Sequence, residues 1–124
     1  MGKRQNQIAE TIKRNFGTLL QTEGSYIYGS EAFVTVTSVN MSPDLGLAKI
    51  YLSVYNTENK QAVLLMMEKE RRSLRQGLAR RIRSQVRKIP NIDFYLDDTL
   101  DEMYRVDELF KKLEDDGQMG ENGE

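Results

Sequence analysis

The repeat distance of apolar residues switches back and forth along this chain between helical and strand spacing, and each switch narrows the possible folds. From Arg4 to about Leu20, the residues Ile8, Ile12, Phe16, Leu19 and Leu20 recur at three- and four-residue intervals. That is the one-sided stripe of a helix packed on a core. The stretch Gln21–Glu31, with Gly24 and Gly29, reads as loop. Phe33–Val39 is β-branched and strand-like, and Ala48–Tyr55 alternates with Ala48, Ile50, Leu52 and Val54 on one face. Between them, Ser42-Pro43-Asp44-Leu45-Gly46 has turn chemistry, which predicts an antiparallel hairpin.

Helical spacing returns from about Glu58 to Val86. On a single helix Val63, Met67, Leu74, Leu78, Ile82 and Val86 form a stripe, with Arg72, Arg80, Arg83 and Arg87 on the opposite side. Arg71 alone falls inside the apolar stripe, where an unpaired guanidinium is very costly. Two helices, or one kinked helix, breaking around Arg71–Ser73 would remove the conflict. Gly77, a weak helix residue, lies one turn later. Pro90 stops the helix, and Ile92, Phe94 and Leu96 alternate as a third strand. Thr99-Leu100-Asp101-Glu102 has capping-box spacing and predicts a last helix to about Leu113 with Met103, Val106, Leu109 and Phe110 inward. The acidic, glycine-rich residues 114–124 read as a disordered tail after a domain spanning 1–113. A strand, two helices and another strand make a crossover, so the third strand can pair in parallel within a three-stranded mixed sheet. The fold class is α+β.

Charge is as segregated as hydropathy. Lys69 to Lys88 holds nine of the eighteen Lys and Arg residues against one acid, Glu70, whereas residues 89–124 sum to −9. The overall net charge of −1 thus conceals a segment of +8. A local basic stripe of this density is the footprint of a phosphate-binding surface; its plainer reading is a well-solvated helix face. No apolar run reaches the roughly 20 residues of a membrane span, and no signal-peptide stretch follows Met1, so a cytoplasmic location and no membrane partner are expected. With neither Cys nor His in the chain, disulfides, the usual zinc ligands and histidine-based nucleophile pairs are excluded. A binding protein is favoured over an enzyme.

Arginine suits phosphate because its planar fork donates two parallel hydrogen bonds and stays charged at all biological pH. Arg80, Arg83 and Arg87, three and four residues apart, can track a nucleic-acid backbone along one helix face. Lys49, Tyr51, Tyr55 and Tyr95 fall on strand faces opposite the core, where aromatics either stack unpaired bases or sit half covered by a neighbouring element. The acidic pairs Asp97-Asp98, Asp101-Glu102 and Asp107-Glu108 have no calcium-loop spacing; helix capping explains them without a metal. Gly24 to Gly29 has P-loop glycine spacing, but Ser30 and Glu31 stand where Lys and Ser or Thr are required. Two G-x-x-G tetrads, at Gly117–Gly120 and Gly120–Gly123, lie in the acidic tail and are accidents of composition.

The order helix–strand–strand–helix–helix–strand is that of a KH-type RNA-binding fold without its G-x-x-G loop, and the residues resemble the ribosome-binding factor A family. The most specific block runs from Val36 to Ser53, where Ser42-Pro43-Asp44-Leu45 and then Ala48-Lys49-Ile50-Tyr51 match the family's Ser-x-Asp-Leu turn and Ala-Lys-x-Tyr strand. Leu74-Arg75 with the basic helix, the run from Ile89 to Leu100, and Arg4 followed by Ile8-Ala9-Glu10 and Ile12 agree as well. The similarity covers about residues 4–112. There are two departures: Glu70-Arg71-Arg72 stands where the family commonly has an Ala-x-Gly kink, and Gln7 replaces a basic residue often found in the first helix. The resemblance implies a type II KH-like domain that catalyses nothing and binds the immature 30S subunit, where it promotes maturation of the 5′ region of 16S rRNA, above all in the cold. A monomer with no cofactor, metal or small-molecule substrate is expected. Lys49, Arg75, Arg80 and Arg83 match basic family positions; Arg81, Arg87 and Lys88 join them from the charge pattern. The alternative is a protein–protein adaptor whose basic helix docks an acidic partner.

Overall fold

A computed structural model describes residues 2–97. Helix α1 (Lys3–Glu23) buries the expected stripe Ile8, Ile12, Phe16, Leu19 and Leu20, together with Ala9. It runs almost a turn beyond Leu20. Gly24 keeps right-handed helical angles (φ −60°, ψ −38°), and its N–H bonds the Leu20 carbonyl. The chain then enters a short helical turn, α2 (Ser25–Tyr28), before Gly29 breaks it with φ 89°. The expectation of a loop over Gln21–Glu31 is therefore corrected. Ile27 and Tyr28 supply the reason, because helical geometry lets both pack against the core.

Strands β1 (Phe33–Met41) and β2 (Leu47–Tyr55) pair antiparallel, Phe33 opposite Tyr55 and Met41 opposite Ala48. The register slips between Val36 and Ser38, leaving Thr37 as a bulge residue. Parity therefore changes within β1: Val34 and Val36 face the core before the bulge, Val39 and Met41 after it. The connecting turn is tightly bonded. Ser42 N–H donates to the Leu47 carbonyl, Leu47 N–H to Ser42 Oγ, and Gly46 N–H to Asp44 Oδ1. Strand β3 (Asn91–Leu96) lies parallel to β2, Ile92 beside Ala48 and Phe94 beside Ile50. The sheet order is β1-β2-β3, so the third strand pairs in parallel with β2 in a mixed sheet.

The long helical pattern divides into α3 (Lys60–Lys69) and α4 (Arg71–Ile82). Asn59 caps α3, its Oδ1 accepting from Ala62 N–H at 3.0 Å. The break falls at Glu70 (φ −100°, ψ 17°), at the near edge of the expected site. Arg71 is thereby turned out of the core: its Nη2 lies 2.7 Å from Glu68 and its Nη1 3.3 Å from Asp93 of β3. Gly77 contributes to packing rather than to the break. A Cβ there would stand 3.0 Å from Leu19 Cδ1, so the glycine lets α4 approach α1 closely. Helix α4 also ends earlier than the pattern suggests. Arg83 is its C-cap, and Arg87 and Lys88 lie in the following loop, which corrects their placement on the helix. The chain must reverse there, since the next apolar anchors, Ile89 and buried Pro90, lead into β3. The helices cover one face of the sheet, and Phe16 of α1 stacks on Phe94 of β3 at 5.8 Å. The expected last helix to Leu113 and the acidic tail lie outside the described residues.

Candidate nucleic-acid interface

Helix α4 is two-sided. Leu74, Gly77, Leu78 and Ile82 are buried, and Arg72, Gln76, Arg80 and Arg83 are exposed. Arg72 and Arg80 are eight residues apart on a common side, about 12 Å along the axis at 1.5 Å per residue. Arg83 follows one turn on, still in helical conformation (φ −51°, ψ −37°). Arg87 and Lys88 continue the exposed cations into the loop beyond. Among the described residues none of these five cations is in an ion pair; the arginine that is paired is Arg71. Cations near a helix C-terminus also interact favourably with its dipole, so Arg80 and Arg83 can be held there, exposed, at little cost.

The remaining candidates are placed differently. Arg75 is half-buried, with Nε 3.0 Å from the Pro90 carbonyl and Nη2 2.8 Å from that of Ile89. Its guanidinium clamps the loop entering β3 against α4. Arg81 is half-buried beside α1, its Nη2 3.5 Å from Thr22 Oγ1. Lys49 is exposed, but it sits on β2 between the buried Ala48 and Ile50 and so points away from the helical layer. The structure thus exposes Arg80 and Arg83 at the end of α4 and Arg87 and Lys88 in the loop that follows. It leaves Lys49 on the other face of the sheet, and it gives Arg75 a structural task.

That other face carries the tyrosines. Tyr51 and Tyr95 stack on each other with ring centroids 5.3 Å apart and planes at 27°. Tyr95 remains 38% exposed, while Tyr51 and Tyr55 are half covered. Cross-strand stacking is an ordinary source of sheet stability, and it occupies one face of each of the two rings. The hairpin turn reaches the basic loop: Asn91 N–H bonds the Gly46 carbonyl at 2.9 Å. Asp44 has its carboxyl held below the usual range, chiefly by the Ser42 hydroxyl at 2.6 Å and the Gly46 N–H, with a smaller contribution from the Lys88 charge. Charge reading alone passes over Asp44, although the Ser-x-Asp turn chemistry marks its place. Among the described residues no cluster of three His, Cys, Asp or Glu side chains can hold a metal, and no helix is long and apolar enough to cross a membrane.

Comparison with known proteins gives a consistent picture. The profile of the ribosome-binding factor A family matches residues 4–110. Ribosome-binding factor A of Cytophaga hutchinsonii is 39% identical over 110 residues, covering 89% of this chain and 82% of the relative. That of Chlorobaculum tepidum is 32% identical over 114 residues, covering 91% and 92%. Among solved structures, the crystal structure of ribosome-binding factor A from Thermus thermophilus superposes with a TM-score of 0.60 at 22% identity, covering 74% of this chain and 94% of the other. A homology model of the factor from the same species, fitted into a cryo-EM map of its 30S complex, superposes with a TM-score of 0.58 at 26% identity, covering 72% and 90%.

Proposed function

The chain belongs to the ribosome-binding factor A family, and we propose that it acts by binding the 30S subunit through the exposed arginine side of α4 and the loop after it. The observation that carries this reading is the row of solvated cations Arg80, Arg83, Arg87 and Lys88, none of which forms an ion pair among the described residues. Such a row matches a phosphate backbone, and each phosphate it neutralises releases counterions. The Thermus thermophilus relative is described in a 30S complex, which supports the same partner here. In the finer reading, the protein binds the immature 30S particle and promotes maturation of the 5′ region of its 16S rRNA, acts in the cytoplasm as a monomer, matters most in the cold, and makes or breaks no bond itself. The domain responsible spans residues 1–113, with 114–124 as its acidic tail.

Co-sedimentation with 30S subunits tests the interface. The wild-type chain pellets with subunits at low salt and is released as salt rises. Arg80→Glu with Arg83→Glu abolishes pelleting while circular dichroism stays native, since both side chains are exposed. Native folding with unchanged pelleting would sink the assignment. Binding that survives nuclease digestion of the rRNA would favour the adaptor reading instead. Accumulation of 5′-extended 16S precursor in cold-grown cells lacking the protein checks the maturation role.

A further inference from the structure

A cleft of about 710 Å³ separates α1 from the outer edge of β1, and no residue of α4 lines it. Five consecutive residues, Ala32 to Val36, line it. Side chains alternate between faces along a strand, so contact with five in a row means the cleft follows the backbone edge. β1 is an end strand of the sheet, and no described strand pairs with that edge. Proteins usually guard such an edge with charges or proline. Phe33-Val34-Thr35-Val36 has neither, and Phe33 is 60% exposed. The bulge at Thr37 ends the regular stretch.

The opposite wall makes the cleft selective. Lys13 and Arg14 line it with a single acid, Glu10. At its floor is Gly17, in the middle of the 21-residue α1. A mid-helix glycine destabilises relative to alanine, and a packing contact usually explains one. Here a Cβ would meet nothing within 4 Å. No described residue needs the glycine, but an occupant of the cleft would. Apolar Leu20 and half-buried Tyr28 complete the floor.

We propose that this cleft binds an extended segment of a partner protein, which adds as a further strand along residues 33–36 and sets a carboxylate against Lys13 and Arg14 and apolar side chains over Gly17 and Tyr28. A strand edge offers N–H and C=O groups at the repeat of another extended peptide, which gives affinity, while the flanking helix reads alternate side chains. A nucleic-acid strand has no matching repeat of main-chain donors and acceptors. The segment is therefore peptidic, alternating and acidic.

Random heptapeptides displayed on phage and selected against the full-length chain provide the probe. The expected winners alternate apolar residues and contain Asp or Glu, and they shift amide signals of residues 13–21 and 32–36 in the labelled protein. Methylating the backbone nitrogens of a synthetic winner one at a time should weaken binding tenfold or more at every second residue. That period of two is the signature of strand addition, and it requires no protein variant. Gly17→Leu fills the floor and should weaken the same peptide at least tenfold, with dispersed amide signals showing that it folds. Lys13→Glu with Arg14→Glu should transfer preference to the peptide with Lys in place of its acid. No enriched peptide, or binding insensitive to backbone methylation, would overturn the proposal. So would displacement of the peptide by poly-uridine that moves the same amides, or shifts of these amides with protein concentration alone, which would put a second copy in the cleft.

Discussion

Arg71, Arg75, Arg80 and Arg83 stand within thirteen residues of one basic run, yet their surroundings give them opposite tasks. Arg71 bridges Glu68 and Asp93 across the helix break, and Arg75 donates to two carbonyls of the loop that enters β3. Arg80 and Arg83 point into solvent. Removing a half-buried charged donor leaves the two carbonyls without their partner, so Arg75→Ala should destabilise the fold by about 1–3 kcal/mol. Arg80→Ala, at an exposed site, should stay within about 0.5 kcal/mol. Urea denaturation of the two variants compares them directly; equal midpoints would remove the clamp. Asp44 adds a pH dependence. Its carboxyl is depressed first by the Ser42 hydroxyl and then by the Gly46 N–H, so the folded state binds its proton less readily than the unfolded chain. The stabilisation is complete above the ordinary carboxylate range and is lost as pH falls through the depressed folded value. Amide signals of residues 42–47 should move at that acid pH, and in Asp44→Asn the movement should vanish.

Two glycines on packed helices show how an element's neighbours decide the effect of a substitution. Gly77 of α4 faces Leu19 of α1 at van der Waals limits, whereas Gly17 of α1 faces open space. Gly17→Ala should therefore stabilise the protein by roughly 0.5–1 kcal/mol, the helix-interior difference between the two residues. Gly77→Val should destabilise it by about 1–3 kcal/mol through overpacking at the helix crossing. Thermal unfolding of both variants tests the contrast, and a shift of the same sign in each would contradict it. Both elements were legible from apolar spacing, and so was the need for a break beside Arg71, because burying an unpaired guanidinium is forbidden on energetic grounds alone. The bulge at Thr37 was not legible. It is a property of the pairing with β2, in which Val36 matches Leu52 but Ser38 matches Tyr51. The early end of α4 escaped the pattern too, since Arg83 to Lys88 keeps helical spacing while the chain turns to reach Pro90.

For the whole molecule, the separation of a +8 segment from a −9 one predicts how binding responds to salt. If the arginine side contacts phosphates, log affinity falls linearly with log salt, and each lost contact flattens the slope by roughly 0.7–0.9. Arg80→Gln with Arg83→Gln should flatten it by about 1.4–1.8 on that basis, measured for 30S binding across a salt series. An unchanged slope would move the contacts elsewhere. Apart from the short turn α2, the chain by itself determined the described elements, their order, the parallel third strand and the concentration of positive charge, because each of these depends on spacing between near neighbours. Tertiary structure decided which of those charges are free. Arg75 is claimed by carbonyls fourteen and fifteen residues away, and Lys49 is carried to the far side of the sheet by the alternation of β2. The open edge of β1 beside Lys13 and Arg14 likewise exists only once the hairpin lies against α1. Spacing along a chain fixes which residues share an element, but which groups remain for a partner is settled only after the elements have packed and satisfied one another.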